Sequence, residues 1–210
     1  MIKLEKTEVM NFEGAIRGMR NPLNSWDKSD SRFNWESGEF IIGPNDLSLA
    51  RKLTKAGSDH RKFLRQIFVS IDITAPLFWW KEFDTYKVGT TANSTSTMHK
   101  IHSKEFVRED FSIESLDSDE LAVIDTLIVT LNNLRSKYNS TKDKRYWRRM
   151  IEMLPSSYNQ KRTCTLTYEN LINIYFARRN HKLHEWHTLC DLIETLPNFA
   201  EICLDGDTNE

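Results

Sequence analysis

The alternation of Ile67, Val69, Ile71 and Ile73 with Phe68, Ser70 and Asp72, running straight into Ala75-Pro76, constrains this chain more than any other stretch. A period of two over residues 66–74 predicts a half-buried strand, apolar on one face and polar on most of the other. Pro76 then suits the first turn of a helix, because the N–H that proline lacks has no partner there anyway. The helix would carry Leu77-Phe78-Trp79-Trp80-Lys81-Glu82-Phe83. A strand that ends in a proline-started helix needs other elements to cover both its buried face and the aromatic side of that helix.

Those elements can be read on either side. Asn45-Asp46 is predicted to cap a helix to about Ala56, with Gly57 as its stop. A further helical turn near Ser58 carries His60, Phe63 and Leu64. Asp117-Ser118-Asp119-Glu120 has capping-box spacing, and Leu121, Ile124, Leu127, Ile128, Leu131 and Leu134 follow at helical period. Asn139-Ser140-Thr141 reads as a break and residues 142–153 as another helix, stopped before Pro155. Helices over about 167–178 and 181–196 follow, the last ending at Leu196-Pro197. Residues 17–44 mix Gly, Asn, Asp, Ser and Trp without period and read as long loops with aromatic anchors. Residues 205–210 read as an acidic, frayed tail. Many helices and few strands, grouped rather than alternating, predict an α+β fold in one domain over 1–204.

Composition narrows the classes. With 39% hydrophobic, 11% aromatic and 28% charged residues, the chain is globular and long enough to bury a core. A formal net charge of −1 demands no nucleic-acid or membrane partner, and a small anionic ligand needs only local positive charge. No apolar run approaches the roughly 20 residues that span a bilayer, and Met1-Ile2-Lys3-Leu4-Glu5 does not read as a signal peptide. Cys164, Cys190 and Cys203, odd in number and outside CxxC spacing, read as packing residues of a cytoplasmic protein. His181, His184 and His187 stand three apart with Glu185 between them, and His99 and His102 form a second pair. Neither group is HExxH, and a period of three drifts around a helix, so no metal site is expected. Walker and dinucleotide glycine motifs are absent. The six tryptophans could offer a stacking platform for a ring, although at least four of them are expected to pack inside.

The order of elements carries a resemblance. The alternating strand, the Pro76 helix, the polar run through Ser96, the Leu154-Pro155 break and the helix Asn170–Arg178 come in the order found in flavin-dependent thymidylate synthase (ThyX). The resemblance covers roughly residues 60–200, and its strongest part is the spacing from Pro155 to Arg178. It implies helices packed on a small, mostly antiparallel sheet, a homotetramer with sites shared between subunits, FAD as cofactor and dUMP as substrate. Reduced nicotinamide and methylenetetrahydrofolate are the co-substrates it implies for an active synthase. Residue by residue, it implies that Arg178 polarises the pyrimidine and that Asn173, Lys87 and Asn93 touch flavin. Thr95, Ser96 and Arg149 would hold the nucleotide phosphate, and Glu82 would accept a hydrogen bond from base or ribose. The chain departs from the family where an Arg-His-Arg triplet is replaced by Thr85-Tyr86-Lys87. It departs again at Ile151, which replaces a basic residue, and in the 88–98 loop, which has neither glutamate nor arginine.

Three functions stand on this reading. One is a divergent synthase, nearest in activity to FAD-dependent methylation of dUMP to dTMP. The second is a non-catalytic protein of viral or prophage type that binds or sequesters a nucleotide after losing the flavin clamp. The third is a structural assembly protein with neither ligand.

Overall fold

The computed structural model describes residues 2–204, and the acidic tail at 205–210 lies outside the described residues. The elements are β1 (Lys3–Met10), α1 (Phe12–Gly18), β2 (Arg32–Asn34), β3 (Glu39–Ile41), α2 (Pro44–Lys55), β4 (Phe68–Pro76) and α3 (Leu77–Phe83). After them come β5 (Thr91–Ser94), α4 (Ser118–Thr141), α5 (Lys144–Glu152), β6 (Asn159–Thr167), α6 (Tyr168–Arg178) and α7 (His184–Glu194). One sheet has the strand order β1-β4-β6-β5, and β2 and β3 make a separate antiparallel hairpin with Phe33 opposite Phe40. The class is α+β, helices with a mostly antiparallel sheet.

The strand predicted at 66–74 is β4. Ile67, Val69, Ile71 and Ile73 are buried, while Phe68 is exposed and Ser70 and Asp72 are half-buried. In the sheet β4 stands between β1 and β6, so both of its edges are paired.

The chain divides into two compact units. One holds Asp72–Thr85 and Asn93–Thr163. Its core is Ile101, Phe106, Phe111, Leu131, Leu134 and Met150, with Ile151, Leu154 and Tyr158 packed against it. The backbone N–H groups of Leu77 and Phe78 donate to the carbonyls of Tyr158 and Ser156 at 3.0 Å each, tying the start of α3 to the segment after Pro155. Trp79, Trp80 and Phe83 form a buried aromatic cluster on α3 with centroids 4.9 to 5.2 Å apart. Asp117 opens α4 with the expected box: Glu120 N donates to Asp117 Oδ1 at 3.4 Å, and Asp117 N donates to Glu120 Oε2 at 3.2 Å.

The other unit holds Glu5–Ile71, Tyr86–Ala92 and the chain from Cys164. Trp186 and Phe199 are fully buried, and so is Tyr168, whose hydroxyl donates to the Pro197 carbonyl at 2.8 Å. Burial holds the Tyr168 phenol well above its usual range, so this group is a neutral donor. Asp46 is the organising polar residue and is fully buried. Its Oδ1 accepts Arg20 Nε at 2.7 Å, and its Oδ2 accepts the hydroxyls of Ser29 and Ser31 at 2.8 and 2.6 Å and the Ser31 N–H at 3.0 Å.

Several boundaries differ from the sequence reading. Asn45-Asp46 does not cap α2; Gly43 stands at the N-cap, and Asp30 accepts the N–H groups of Asn45 and Asp46 from a distance at 2.9 and 3.1 Å. A Cβ on Gly43 would meet the Asp30 carbonyl at 2.5 Å, so only glycine fits there. Residues 17–44 contain a β-hairpin, and the tryptophans Trp26 and Trp35 are 54% and 88% exposed, so the anchor is Asp46 rather than those rings. Asn139-Ser140-Thr141 is the last turn of α4, and the reversal comes at Lys142, at φ 56°. The last helix starts at His184 rather than 181 and ends at Glu194. Strands β1, β5 and β6 have no counterpart in the sequence reading.

Candidate functional site

The geometry at Arg178 is the most specific in the molecule. Thr167 caps α6 and exchanges bonds with Asn170: Asn170 N donates to Thr167 Oγ1 at 3.3 Å, and Thr167 N and Oγ1 donate to Asn170 Oδ1 at 3.0 and 2.7 Å. The remaining side of that carboxamide, Nδ2, donates to the Val88 carbonyl at 2.6 Å, which fastens the Tyr86–Ala92 segment to the start of the helix. Gly89 at φ +75° lies against the same carboxamide; a Cβ there would meet Asn170 Oδ1 at 3.0 Å.

At the other end of α6, Arg178 Nε donates to the Tyr86 hydroxyl at 2.9 Å. Its guanidinium carbon lies 4.6 Å from the Trp186 ring centroid and 5.6 Å from that of Tyr86, and the two rings meet edge-on at 6.0 Å. A half-buried guanidinium between two aromatic faces is favoured by both ring quadrupoles and held in one orientation. Tyr86, in the stretch Thr85-Tyr86-Lys87, is thus the direct partner of Arg178.

The other candidates of this unit lie in different surroundings. Asn173 is exposed and its Oδ1 accepts Arg61 Nη2 at 3.2 Å. Arg61 Nε also pairs with Glu169 Oε1 at 3.0 Å, and Arg65 pairs with the other carboxylate oxygen. Lys87 is exposed on the Tyr86–Ala92 segment. A cleft of about 440 Å³ lies in the same unit, with Met19, Pro22, Leu23 and Phe63 among its apolar walls and Asn21, His60 and Lys62 among its polar ones. Of these the sequence reading named His60 and Phe63, but only as part of a helical turn. Trp186 was named only among six tryptophans that could stack on a ring, and Glu169 was not named as a site residue. The T-x-x-N spacing of Thr167 and Asn170 was a usable local signal, whereas Arg61 and Glu169 stand 108 residues apart and gave none.

In the unit that holds Asn93–Thr163, Thr95 is fixed by its backbone: its N–H donates to the Lys161 carbonyl at 2.8 Å and its carbonyl accepts Gln160 Nε2 at 2.7 Å. Ser96 Oγ accepts the N–H groups of Met98 and His99 at 3.2 and 2.9 Å, while its hydroxyl retains a proton to donate. Asn93 is exposed at the end of β5, and Glu82 is half-buried on α3. Arg149 is exposed on α5 with its guanidinium carbon 6.0 Å from the Tyr146 ring centroid. Ile151, two residues on and therefore about 200° around the helix, packs on the core instead.

The histidines serve local structure. His181 Nδ1 accepts the Leu183 N–H at 3.2 Å, and His187 Nε2 lies 2.6 Å from the His181 carbonyl. Among the described residues no group of three His, Cys, Asp or Glu side chains could hold a metal ion, and no helix is long and apolar enough to cross a membrane.

The donor set also bears on a flavin. The phosphates of FAD would need several cations, and the stretch Thr85-Tyr86-Lys87 supplies one. Arg61 and Arg65 already face Glu169. As a donor set, one cation at Thr85-Tyr86-Lys87 is a poor match to a flavin pyrophosphate.

No family model and no curated protein matches this sequence. The architecture nevertheless defines a class, the ThyX-like α+β fold. Thymidylate synthase X from Helicobacter pylori with FAD and dUMP is similar over 100% of both chains, with a TM-score of 0.74 and 16% identity. A second structure of the flavin-dependent thymidylate synthase ThyX of Helicobacter pylori, complexed with FAD and dUMP, covers 97% of this chain and 98% of its own, with a TM-score of 0.72 and 16% identity.

Proposed function

We propose that this protein binds a uridine-type nucleotide, with Arg178 donating to a carbonyl of the pyrimidine ring. The observation that carries the reading is the double hold on Arg178, through the Tyr86 hydroxyl and the Trp186 face, at the end of a helix on a ThyX-like fold. A guanidinium has five N–H donors in a fixed fork, and Tyr86 occupies one of them. Holding the guanidinium in one orientation lowers the entropy lost when a planar base docks against it. Thr95, Ser96 and Arg149 are the proposed phosphate ligands, from the resemblance and from the hydroxyl and cationic donors they carry. Glu82 is the proposed acceptor for base or ribose.

The poor match to a flavin pyrophosphate favours binding without thymidylate synthesis, which would make the chain a nucleotide-binding or nucleotide-sequestering protein. The synthase reading keeps one supporting observation, the full-length likeness to structures that hold FAD and dUMP. It would use Lys87, Asn93 and Asn173 toward flavin, which would supply the hydride. A homotetramer remains part of either proposal by resemblance.

The deciding experiment is the visible spectrum of the purified protein, with mass spectrometry of whatever it releases on denaturation. A nucleotide without flavin absorbance supports the binding reading. Bound FAD, followed by dUMP-dependent oxidation of reduced nicotinamide, would overturn it in favour of the synthase. Neither ligand, after addition of both FAD and dUMP, would remove both readings.

A further inference from the structure

The whole-chain charge of −1 averages over a strong local asymmetry. Residues 135–149 hold seven of the 29 basic residues and one of the 30 acidic ones, a local net charge of +6. The stretch is the end of α4, the reversal at Lys142 and the first two turns of α5, and these helices pack on one another. Lys137, Lys142, Lys144, Arg145, Arg148 and Arg149 are all exposed. Asp143 and Glu152 neutralise Arg145 and Arg148, at 2.7 and 2.6 Å. Lys137, Lys142, Lys144 and Arg149 make no direct ion pair among the described residues, and Arg149 feels Asp143 only through space. Three of these four lie near tyrosines instead: Lys137 Nζ and the Arg149 guanidinium carbon at 5.8 and 6.0 Å from the Tyr146 centroid, and Lys142 Nζ at 5.8 Å from that of Tyr138.

Helix stabilisation does not explain this pattern. Cations complement the C-terminal end of a helix, and Lys137 and Lys142 could be read so. Lys144 and Arg145, however, occupy the first turn of α5, where the dipole is already positive and the turn itself holds no acidic residue beyond the cap Asp143. Placing cations there costs helix stability and adds to the outward positive field. The acidic residues Asp117, Asp119 and Glu120 stand at the far end of α4, about 30 Å away along the axis. That is several Debye lengths at physiological salt, so they do not cancel the field.

We infer that the α4–α5 hairpin is a docking surface for the phosphate backbone of a nucleic acid, read by charge rather than by sequence. The tyrosine rings already lie against cations and pack toward the core, so they are not presented as base-stacking platforms. No large hydrophobic side chain between 135 and 149 is exposed, so the face lacks the apolar anchors a membrane surface site would insert. This inference does not depend on the nucleotide reading of Arg178.

The test is fluorescence anisotropy of a labelled 25-nucleotide single-stranded DNA titrated with the full chain between 50 and 200 mM NaCl. Four cations outside any direct ion pair predict a slope of log affinity against log salt of about −3, with dissociation constants of roughly 10 to 100 μM near physiological salt. The triple variant Lys137→Glu, Lys142→Glu, Lys144→Glu should weaken binding at 50 mM NaCl by at least about tenfold and flatten the slope. Lys28→Glu, Lys52→Glu, Lys55→Glu, the same charge change on the other unit, should leave most of the affinity. Circular dichroism would establish that both variants are folded. Absence of binding at 50 mM NaCl would overturn the proposal, as would an equal loss in both triple variants. So would binding to phosphatidylserine vesicles without binding to the oligonucleotide.

Discussion

Arg178 joins sequence, packing and function at the scale of a single side chain. Its place at the end of an apolar helix is also where an ordinary C-terminal cation would sit, and only the contacts separate the two readings. A solvated cation complementing a dipole does not need a tyrosine hydroxyl at 2.9 Å and a tryptophan face at 4.6 Å. Arg178→Lys keeps the charge but loses the fork and the planar stacking. The expected result is a loss of dUMP affinity of about ten- to a hundredfold by calorimetry, the range for hydrogen bonds made by charged groups, with little change in melting temperature. Wild-type affinity in that variant would remove Arg178 from the binding site. Tyr86→Phe removes only the oxygen that accepts Arg178 Nε and keeps the ring near the guanidinium. It should lower dUMP affinity by a smaller factor, about three- to tenfold. A Tyr86→Phe effect equal to that of Arg178→Lys would mean that the hydroxyl itself contacts the ligand.

At the scale of elements, two polar side chains hold segments that their local sequence leaves undetermined. Asn170 links α6 to the Tyr86–Ala92 segment, so Asn170→Ala should cost about 1 kcal/mol as a lost cap partner. It should also speed amide exchange through that segment, measurable by mass spectrometry; unchanged exchange would mean that other contacts hold it. Asp46 does the same for the irregular stretch between α1 and α2. Burial by itself would raise the Asp46 pKa, but hydrogen bonds from Ser31, Ser29 and Arg20 outweigh it and hold the carboxyl below the usual carboxylate value. A depressed folded pKa means that the stabilisation is fully present above about pH 4, where the unfolded residue is ionised. It is lost as pH falls through the lower folded value. Asp46→Asn leaves the buried Arg20 uncompensated and should cost about 3–5 kcal/mol. A plot of melting temperature between pH 7 and pH 2.5 should fall at its acid end for the wild type and less steeply for the variant. Parallel curves would show that Asp46 does not titrate with unfolding.

Across the whole molecule, legibility followed the range of the forces involved. Strand β4 and helix α4 could be read because period-two alternation and a capping box are local patterns that burial then confirms. Strand β6 could not, because Asn159-Gln160-Lys161-Arg162-Thr163 has no apolar face to alternate. Its side chains are held by partners distant in sequence: Arg162 lies over Trp80 at 4.1 Å and pairs with Asp84, and Lys161 pairs with Asp72. The Arg178 site was legible only through the spacing from Pro155, while Trp186 and the Glu169 pairs needed the folded chain. The cysteines behave alike across the molecule: all three are buried thiols in no disulfide, the packing residues that their spacing suggests. Burial, with Asp191 and Glu194 nearby, pushes the Cys190 thiol up to about 11, and burial also raises Cys203. The reactive species is the thiolate, and at pH 8 a thiol of that pKa is ionised to roughly one part in a thousand. Cys164 adds a fully buried site at the centre of β6. A disulfide reagent such as DTNB at pH 8 should therefore find essentially no thiol in the native protein within minutes and three after denaturation. Rapid reaction of one native thiol would mean that its surroundings open readily, and mass spectrometric mapping of the modified cysteine would identify which unit opens.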